Sequence, residues 1–327
     1  MESFTKVKLN DSELKSAVQA AFGEEAVLVS AIELTGGFFN TAYDLELEDG
    51  RQLILKVAPS DGTVTLSYEK NIMAAEVEAL RLVAADGRIP VPAVYSYDDS
   101  RSIIPSPYFF MEKISGQPYN EVKEDYSPVE QAEIERELGR YQRLINGITG
   151  PRFGLFVQEE PQAAESWRES FTRMLRTLLE DARELGVVLP AGDEEIWQLL
   201  EHYLPALDEV TEPRLIHWDL WNGNLFVQSG QIVSIIDWER ALWGDVLMEY
   251  YFRHFEQSEP FHEGYGQHFG SRGERLRIKL YDFYLDLIMR IECDSRQYKD
   301  GNHIRWASEN LKESWKSFSA LDSIPEA

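Results

Sequence analysis

The sequence predicts an α+β chain of two lobes: a β-rich N-terminal lobe with one long helix over residues 1–113, and a mostly helical lobe over residues 114–327. Three observations carry this. Ala26–Leu34, Thr41–Leu47 and Gln52–Ala58 alternate apolar and polar residues with the two-residue period of strands. A single long helical period, Tyr68–Ala84, separates them from two further strand-like segments, Ala93–Asp98 and Pro107–Glu112. From Ser115 onward the apolar period is that of helices. At 327 residues the chain is long enough for two cores.

The elements follow in order. Asp11–Phe22 sets Leu14, Val18, Ala21 and Phe22 near helical spacing, and Gly23 fits its stop. Thr35-Gly36-Gly37-Phe38-Phe39-Asn40-Thr41 lies between the first two strands, where paired glycines let a backbone approach a phosphate and equally make a plain turn. Asp49-Gly50 joins the second and third strands. Ile89-Pro90-Val91-Pro92 closes the helical unit. Ser127-Pro128-Val129-Glu130 combines a capping box with proline at the first helical position, and Asn146-Gly147 ends that helix. Helical spacing returns in Glu165–Leu185, closed by Gly186, then from Glu194 to Tyr203, Gly273–Cys293 and Ile304–Leu321. Their Trp and Leu stripes read as core.

Composition narrows the function. Apolar residues at 43% and charged residues at 27% describe an ordinary globular protein. No apolar run reaches membrane-spanning length, and the N-terminus lacks a signal-peptide core. The single cysteine, Cys293, permits no internal disulfide and suits a reducing cytoplasm. With 32 basic against 57 acidic side chains, the formal charge of −25 argues against nucleic-acid binding. No G-x-x-x-x-G-K-[ST] occurs, which argues against a P-loop enzyme.

The chemistry concentrates in Leu215-Ile216-His217-Trp218-Asp219-Leu220-Trp221-Asn222-Gly223-Asn224-Leu225-Phe226, followed by Ile235-Ile236-Asp237-Trp238-Glu239. The spacing His217-x-Asp219-x-x-x-x-Asn224, then Asp237 after an aliphatic run, is that of a phosphoryl-transfer site. In that reading Asp219 is the catalytic base on an attacking hydroxyl, and Asn224 and Asp237 are the magnesium ligands. Gln228-Ser229-Gly230-Gln231 is the turn that returns Asp237 beside the loop. His217 is expected to hold the loop in shape rather than to act chemically.

These residues resemble the catalytic loop of the aminoglycoside phosphotransferase and choline kinase family, small-molecule relatives of the protein kinases. The similarity runs from about Ile32 to about Tyr250. It implies a protein-kinase-like fold, ATP and Mg2+ as cofactors, and a small-molecule hydroxyl acceptor of aminoglycoside, amino-alcohol or sugar type. It also implies that Lys56, after Leu53-Ile54-Leu55, contacts the nucleotide phosphates. Glu76 matches its partner position, with Glu69 and Glu78 as competitors. Gly36 and Gly37 take the place of the Gly-rich loop, without its full G-x-G-x-x-G. The backbone near Glu112 and Ile114 takes that of the adenine-binding hinge. Asp245 is expected to brace the catalytic loop. Trp218 departs from the family Gly and from the protein-kinase Arg.

Two rivals stand beside this expectation. A nucleotide-binding module without useful catalysis would keep the fold, although the presence of Lys56, Asp219, Asn224 and Asp237 together opposes it. A protein kinase needs a regulatory loop, and only seven residues separate Asp237 from Asp245. The acidic segments Glu159-Glu160, Asp193-Glu194-Glu195, Glu256, Glu259 and Glu263, with nearby aromatic residues, would suit a cationic acceptor or merely a solvated rim.

Overall fold

The computed structural model describes residues 6–35, 39–157, 166–250 and 258–320. Its N-terminal lobe is one antiparallel sheet in the order β1-β2-β3-β5-β4, built from β1 (Leu28–Leu34), β2 (Thr41–Leu47), β3 (Gln52–Val57), β4 (Val94–Asp98) and β5 (Tyr108–Glu112). Helix α1 (Asp11–Phe22) starts at an Asn10–Glu13 capping box. It covers one face of the sheet, packing Leu14, Ala17 and Val18 on Leu45, Leu53, Leu55 and Phe110. The turn between β2 and β3 uses Gly50 at φ 86°, a left-handed conformation glycine adopts freely.

Register fixes what the other face shows. Ile32 pairs with Asp44 and Leu34 with Ala42, while Ala42 pairs with Lys56 and Asp44 with Ile54. Paired residues of an antiparallel ladder point to the same side. Ile32, Leu34 and Lys56 therefore share the face opposite α1. Ile32 is 62% exposed and Leu34 38% exposed there, an apolar surface left without a protein cover.

Helix α2 (Ile72–Asp86) starts later than the periodicity from Tyr68 suggests, because Ser67–Glu69 forms a separate 3-10 turn. It packs Met73, Val77 and Leu80 with Phe109, Met111, Leu220 and Trp238.

Beyond residue 113 the chain adds β6 (Gln117–Pro118), α3 (Tyr119–Val122), α4 (Pro128–Asn146), β7 (Gly154–Leu155), α5 (Trp167–Glu184) and α6 (Asp193–Tyr203). Then follow β8 (Arg214–Ile216), β9 (Leu225–Gln228), β10 (Gln231–Ile235), β11 (Leu242–Gly244), α7 (Leu247–Tyr250), α8 (Glu259–Tyr265), α9 (Arg272–Ser295) and α10 (Gly301–Ser319). The short strands form two small sheets, β10-β9-β6 and β7-β11-β8. Helices α5, α6 and α9 bury their apolar stripes in one core with Trp218. Among the described residues no helix is long and apolar enough to cross a membrane.

Candidate active site

Backbone hydrogen bonds bring the expected acids together. After β8 the chain turns sharply at Trp218, whose φ is 59°. The loop closes when the Asn224 amide donates to Trp221 O at 3.0 Å. The Asn224 side chain donates to Asp219 O at 2.8 Å and to Asp219 Oδ2 at 3.0 Å. Its nitrogen is thus spent on the aspartate, and its carbonyl oxygen is the atom able to ligate a metal. Strands β9 and β10 meet at Ser229 and Gly230, with φ 51° and 77°, the signs of a type I′ turn. Ile236 N then donates to Asn224 O at 3.0 Å. Asp237, next in the chain, lands beside Asn224.

Lys56 reaches this point from β3. Its ammonium lies 2.6 Å from Glu76 Oε1 and 2.7 Å from Asp237 Oδ1. Glu76, not its competitors, is therefore the partner: Glu69 pairs with Arg296 at 2.6 Å, and Glu78 is exposed. Ligand atoms of Glu76, Asp237 and Glu239 lie within 4.8 Å of one another. Asn40 donates to Glu239 Oε2 at 2.7 Å, and the Glu76 Oε2 and Asn40 Oδ1 oxygens are buried without a hydrogen-bond partner.

Burial and neighbouring charges shape the electrostatics. Burial alone would lower the Lys56 ammonium, but Asp237, Glu76 and Glu239 outweigh it and raise its pKa. Burial pushes Glu76 up to about 7 against the pull of Lys56. Asp237 is half-buried, and although desolvation opposes its charge, Lys56 brings it below the ordinary carboxylate range. Burial lifts Asp219 to about 7, opposed chiefly by Arg240. A base poised near neutrality is what proton abstraction from an alcohol requires.

His217 ties the loop to the residue before Asp237. Its Nδ1 accepts from the Asp219 amide at 3.2 Å, so Nε2 carries the proton and donates to Ile236 O at 2.9 Å. The ring is fully buried, and desolvation brings it down to about 4. His217→Ala is expected to lower melting temperature and turnover together. Wild type keeps this ring neutral at a rising cost as pH falls from 6.5 toward 4, because the unfolded ring takes up a proton that the native one refuses. The stability gap between wild type and His217→Ala should therefore shrink over that window. A gap that stays constant from pH 7 to pH 4 would refute this assignment.

The loop brace is a correction to expectation. Asp245 takes Arg277 Nε and the Tyr281 hydroxyl at 2.8 Å each, and the Leu247 amide at 3.1 Å. It is tied to α9 and its own turn. Glu249 braces the loop instead, accepting the His217 amide at 2.9 Å and the Trp218 amide at 2.5 Å. Trp218 packs flat on Tyr284, with ring centroids 5.6 Å apart and planes 8° apart. Its left-handed backbone costs roughly 1–3 kcal/mol. A fully buried indole contributes more than that, on the scale of 3–5 kcal/mol for Trp→Ala.

Of the remaining expectations, Gly36 and Gly37 lie outside the described residues, as do Glu159, Glu160 and Glu256. Glu112 ends β5, with its amide donating to Ala93 O at 2.9 Å. Half-buried Ile114 follows Lys113, which bridges to Asp44 at 2.7 Å. Glu263 pairs with Arg136 at 2.7 Å, and Asp193, Glu194 and Glu195 form the exposed first turn of α6. The Trp221 ring lies over Gly223, where a Cβ would sit 2.3 Å from it. Asn40, Glu239 and Glu249 are additions from the structure. Their signal in sequence was adjacency alone: Asn40 follows the paired glycines, and the other two follow Asp237 and Asp245.

Comparison with known proteins bears on this geometry. Residues 30–281 match the family described as the phosphotransferase enzyme family. Acyl-CoA dehydrogenase family member 10 of Mus musculus is 25% identical over 65% of this chain, a match that spans only 19% of the mouse protein. A protein of Enterococcus faecium named "Probable ketoamine kinase" is 24% identical over 67% of this chain and 73% of its own length. Among solved structures, the streptomycin-ATP-APH(2'')-IIa ternary complex superposes with a TM-score of 0.62, covering 96% of this chain and 99% of that one at 14% identity. A thermostable mutant of APH(4)-Ia, in ternary complex with AMP-PNP and hygromycin B, gives 0.58 over 94% and 98% at 18% identity. These likenesses establish the protein-kinase-like fold. With the family match covering most of its length, the chain belongs to the phosphotransferase enzyme family.

Proposed function

We propose that this protein transfers the γ-phosphate of ATP to a hydroxyl of a small molecule, in a cleft between residues 1–113 and 114–327 hinged near Lys113. The observation that carries this is Lys56 held between Glu76 and Asp237 at 2.6 and 2.7 Å, on the sheet face that also leaves Ile32 and Leu34 exposed. An ammonium for phosphates and an open apolar roof for a purine meet on one surface. The backbone of Glu112 and Ile114 borders it as the adenine edge, and Gly36 and Gly37 precede Asn40 as the phosphate loop.

The donor set also fits a divalent cation. Three carboxylates face one ammonium, and the orphaned Glu76 and Asn40 oxygens favour further positive charge. Asn224 and Asp237 would hold magnesium, with Glu239 within reach. When bound, magnesium draws charge from the phosphate oxygens and orients them. Asp219, fixed by Asn224, would orient the acceptor hydroxyl and take its proton as the oxygen attacks the γ-phosphorus and the bond to the β,γ-bridging oxygen breaks, releasing ADP. The acceptor is hydroxyl-bearing, of the aminoglycoside, amino-alcohol or sugar kind; similar proteins are named for aminoglycosides and for ketoamines. The two assignable acidic segments give a cationic acceptor no support, being solvated or paired with Arg136.

The test is direct. Millimolar ATP with magnesium should raise the melting temperature, since a ligand of the native state stabilises by mass action. Asp237→Ala should abolish most of the magnesium-dependent part. ADP release with a panel of amino alcohols, ketoamines, sugars and aminoglycosides then identifies the acceptor. No thermal shift in wild type would overturn this function.

A further inference from the structure

Residues 66–69, two residues short of α2, are fastened one after another to the helical lobe. Leu66 is 1% exposed and sits in the core of Trp167, Phe171 and Tyr284 rather than in that of the sheet. Ser67 donates to Asp181 of α5 twice, through its amide at 2.8 Å and its hydroxyl at 2.7 Å. The Tyr68 hydroxyl donates to Glu292 Oε1, and its ring meets the edge of Trp218 at 6.3 Å. Glu69 takes Arg296 at 2.6 Å while its other oxygen accepts the Leu66 amide at 2.7 Å. Glu292 Oε1 gathers the group, since Arg240 at 2.6 Å and Arg296 at 3.1 Å share it with Tyr68. Apart from the Leu66 amide, all of these partners lie beyond residue 113.

We propose that residues 66–69 are a built-in clamp that positions α2, and with it Glu76, so that Lys56 is held for catalysis without any covalent activation. Protein kinases control this same helix through a phosphorylated loop. Here no such loop separates Asp237 from Asp245, and the position of the phosphate-holding Arg is Trp218, packed under Tyr68. Arg240, three residues after Asp237, takes over the link by joining the catalytic segment to Glu292. Glu76 lies one turn into the helix that the clamp pins at its start. Buried ion pairs add fixed geometry more readily than net stability, which suits a positioning role. The clamp rests on the phosphotransfer reading only for its purpose; its mechanical part stands on the contacts.

Glu69→Ala removes the acceptor for both Arg296 and the Leu66 amide, and Glu69→Gln keeps one. Tyr68→Phe removes only the hydroxyl on Glu292, leaving every charge in place should Glu69→Ala fold poorly. Amide hydrogen exchange reads the helix directly. Residues 72–86 should exchange at least tenfold faster in Glu69→Ala and several-fold faster in Tyr68→Phe, with residues 278–291 of α9 unchanged. Glu69→Gln should restore most of the protection. Mg·ATP affinity should fall roughly tenfold in Glu69→Ala, the expected result of a partly emptied competent state. Unaltered exchange over 72–86 in both Glu69→Ala and Tyr68→Phe overturns the clamp. Equal acceleration in α9 overturns it too, by showing general loosening. A wild type that ignores Mg·ATP would instead overturn the function, with the exchange result still deciding the clamp.

Discussion

Asp219→Asn should lower turnover by roughly 10²–10⁴-fold, the scale of losing a general base, while leaving the protein as stable as wild type or more so. The amide is isosteric, and its carbonyl can still accept from Asn224, which now bonds Asp219 O at 2.8 Å and Oδ2 at 3.0 Å. What disappears is an oxygen able to take a proton. The stability half follows from burial, which lifts the Asp219 carboxyl to about 7. A group whose charged form is disfavoured by folding opposes the folded state, so a neutral replacement relieves it. ATP affinity should change by no more than a few-fold, because Lys56, Glu76 and Asp237 are untouched. Turnover equal to wild type would show that Asp219 only shapes the loop. A large fall in melting temperature would show that its charge is structural.

How much of this was legible in the sequence depends on which force fixed each residue. Strong period and punctuation carried the fold: the alternation of β2 and β3, Ser127-Pro128 before α4, and Ser229-Gly230 between β9 and β10 all appear where the sequence places them. Asp219, Asn224 and Asp237 were readable because a short loop and a tight hairpin leave little freedom in where they end. Lys56–Glu76 was readable only through resemblance, since the two stand 20 positions apart and a lobe's packing decides whether they meet. The start of α2 was misjudged because helical spacing continues through Tyr68, while tertiary contacts to Asp181, Glu292 and Arg296 pull Ser67–Glu69 into a separate turn. Asp245 was misassigned for the same reason. Its neighbour Gly244 marks the turn, but only the position of Arg277 and Tyr281, 32 and 36 residues on, decides where the carboxylate bonds. Trp218 illustrates the reverse case: a left-handed backbone that suits glycine is tolerated because the indole gains a buried partner in Tyr284.

The largest expected loss of stability lies at Glu249, a residue that takes no part in the reaction. Its two oxygens accept the amides of His217 and Trp218, both within a region where His217 is fully buried and Trp218 is 1% exposed. Glu249→Ala leaves two buried N–H groups with no water to turn to, at roughly 1–3 kcal/mol each. The melting temperature should fall on the order of 10 °C, and turnover should fall with it as Asp219 loses its fixed loop. Glu249→Gln keeps the size and one acceptor, so its loss should be smaller and should depend on pH. Burial raises Glu249 from 4.5 to about 8, against the amides that favour its charge. Between those values the unfolded chain has released a proton that the native state retains, so this group's contribution to stability falls as pH rises. Glutamine does not titrate. The gap in melting temperature between wild type and Glu249→Gln should therefore narrow as pH rises from 5 to 8. A gap that stays constant over this range would mean that Glu249 is ionised throughout in the native protein. Full stability of Glu249→Ala would mean that the loop stands without it, and that the brace must be sought in His217 alone.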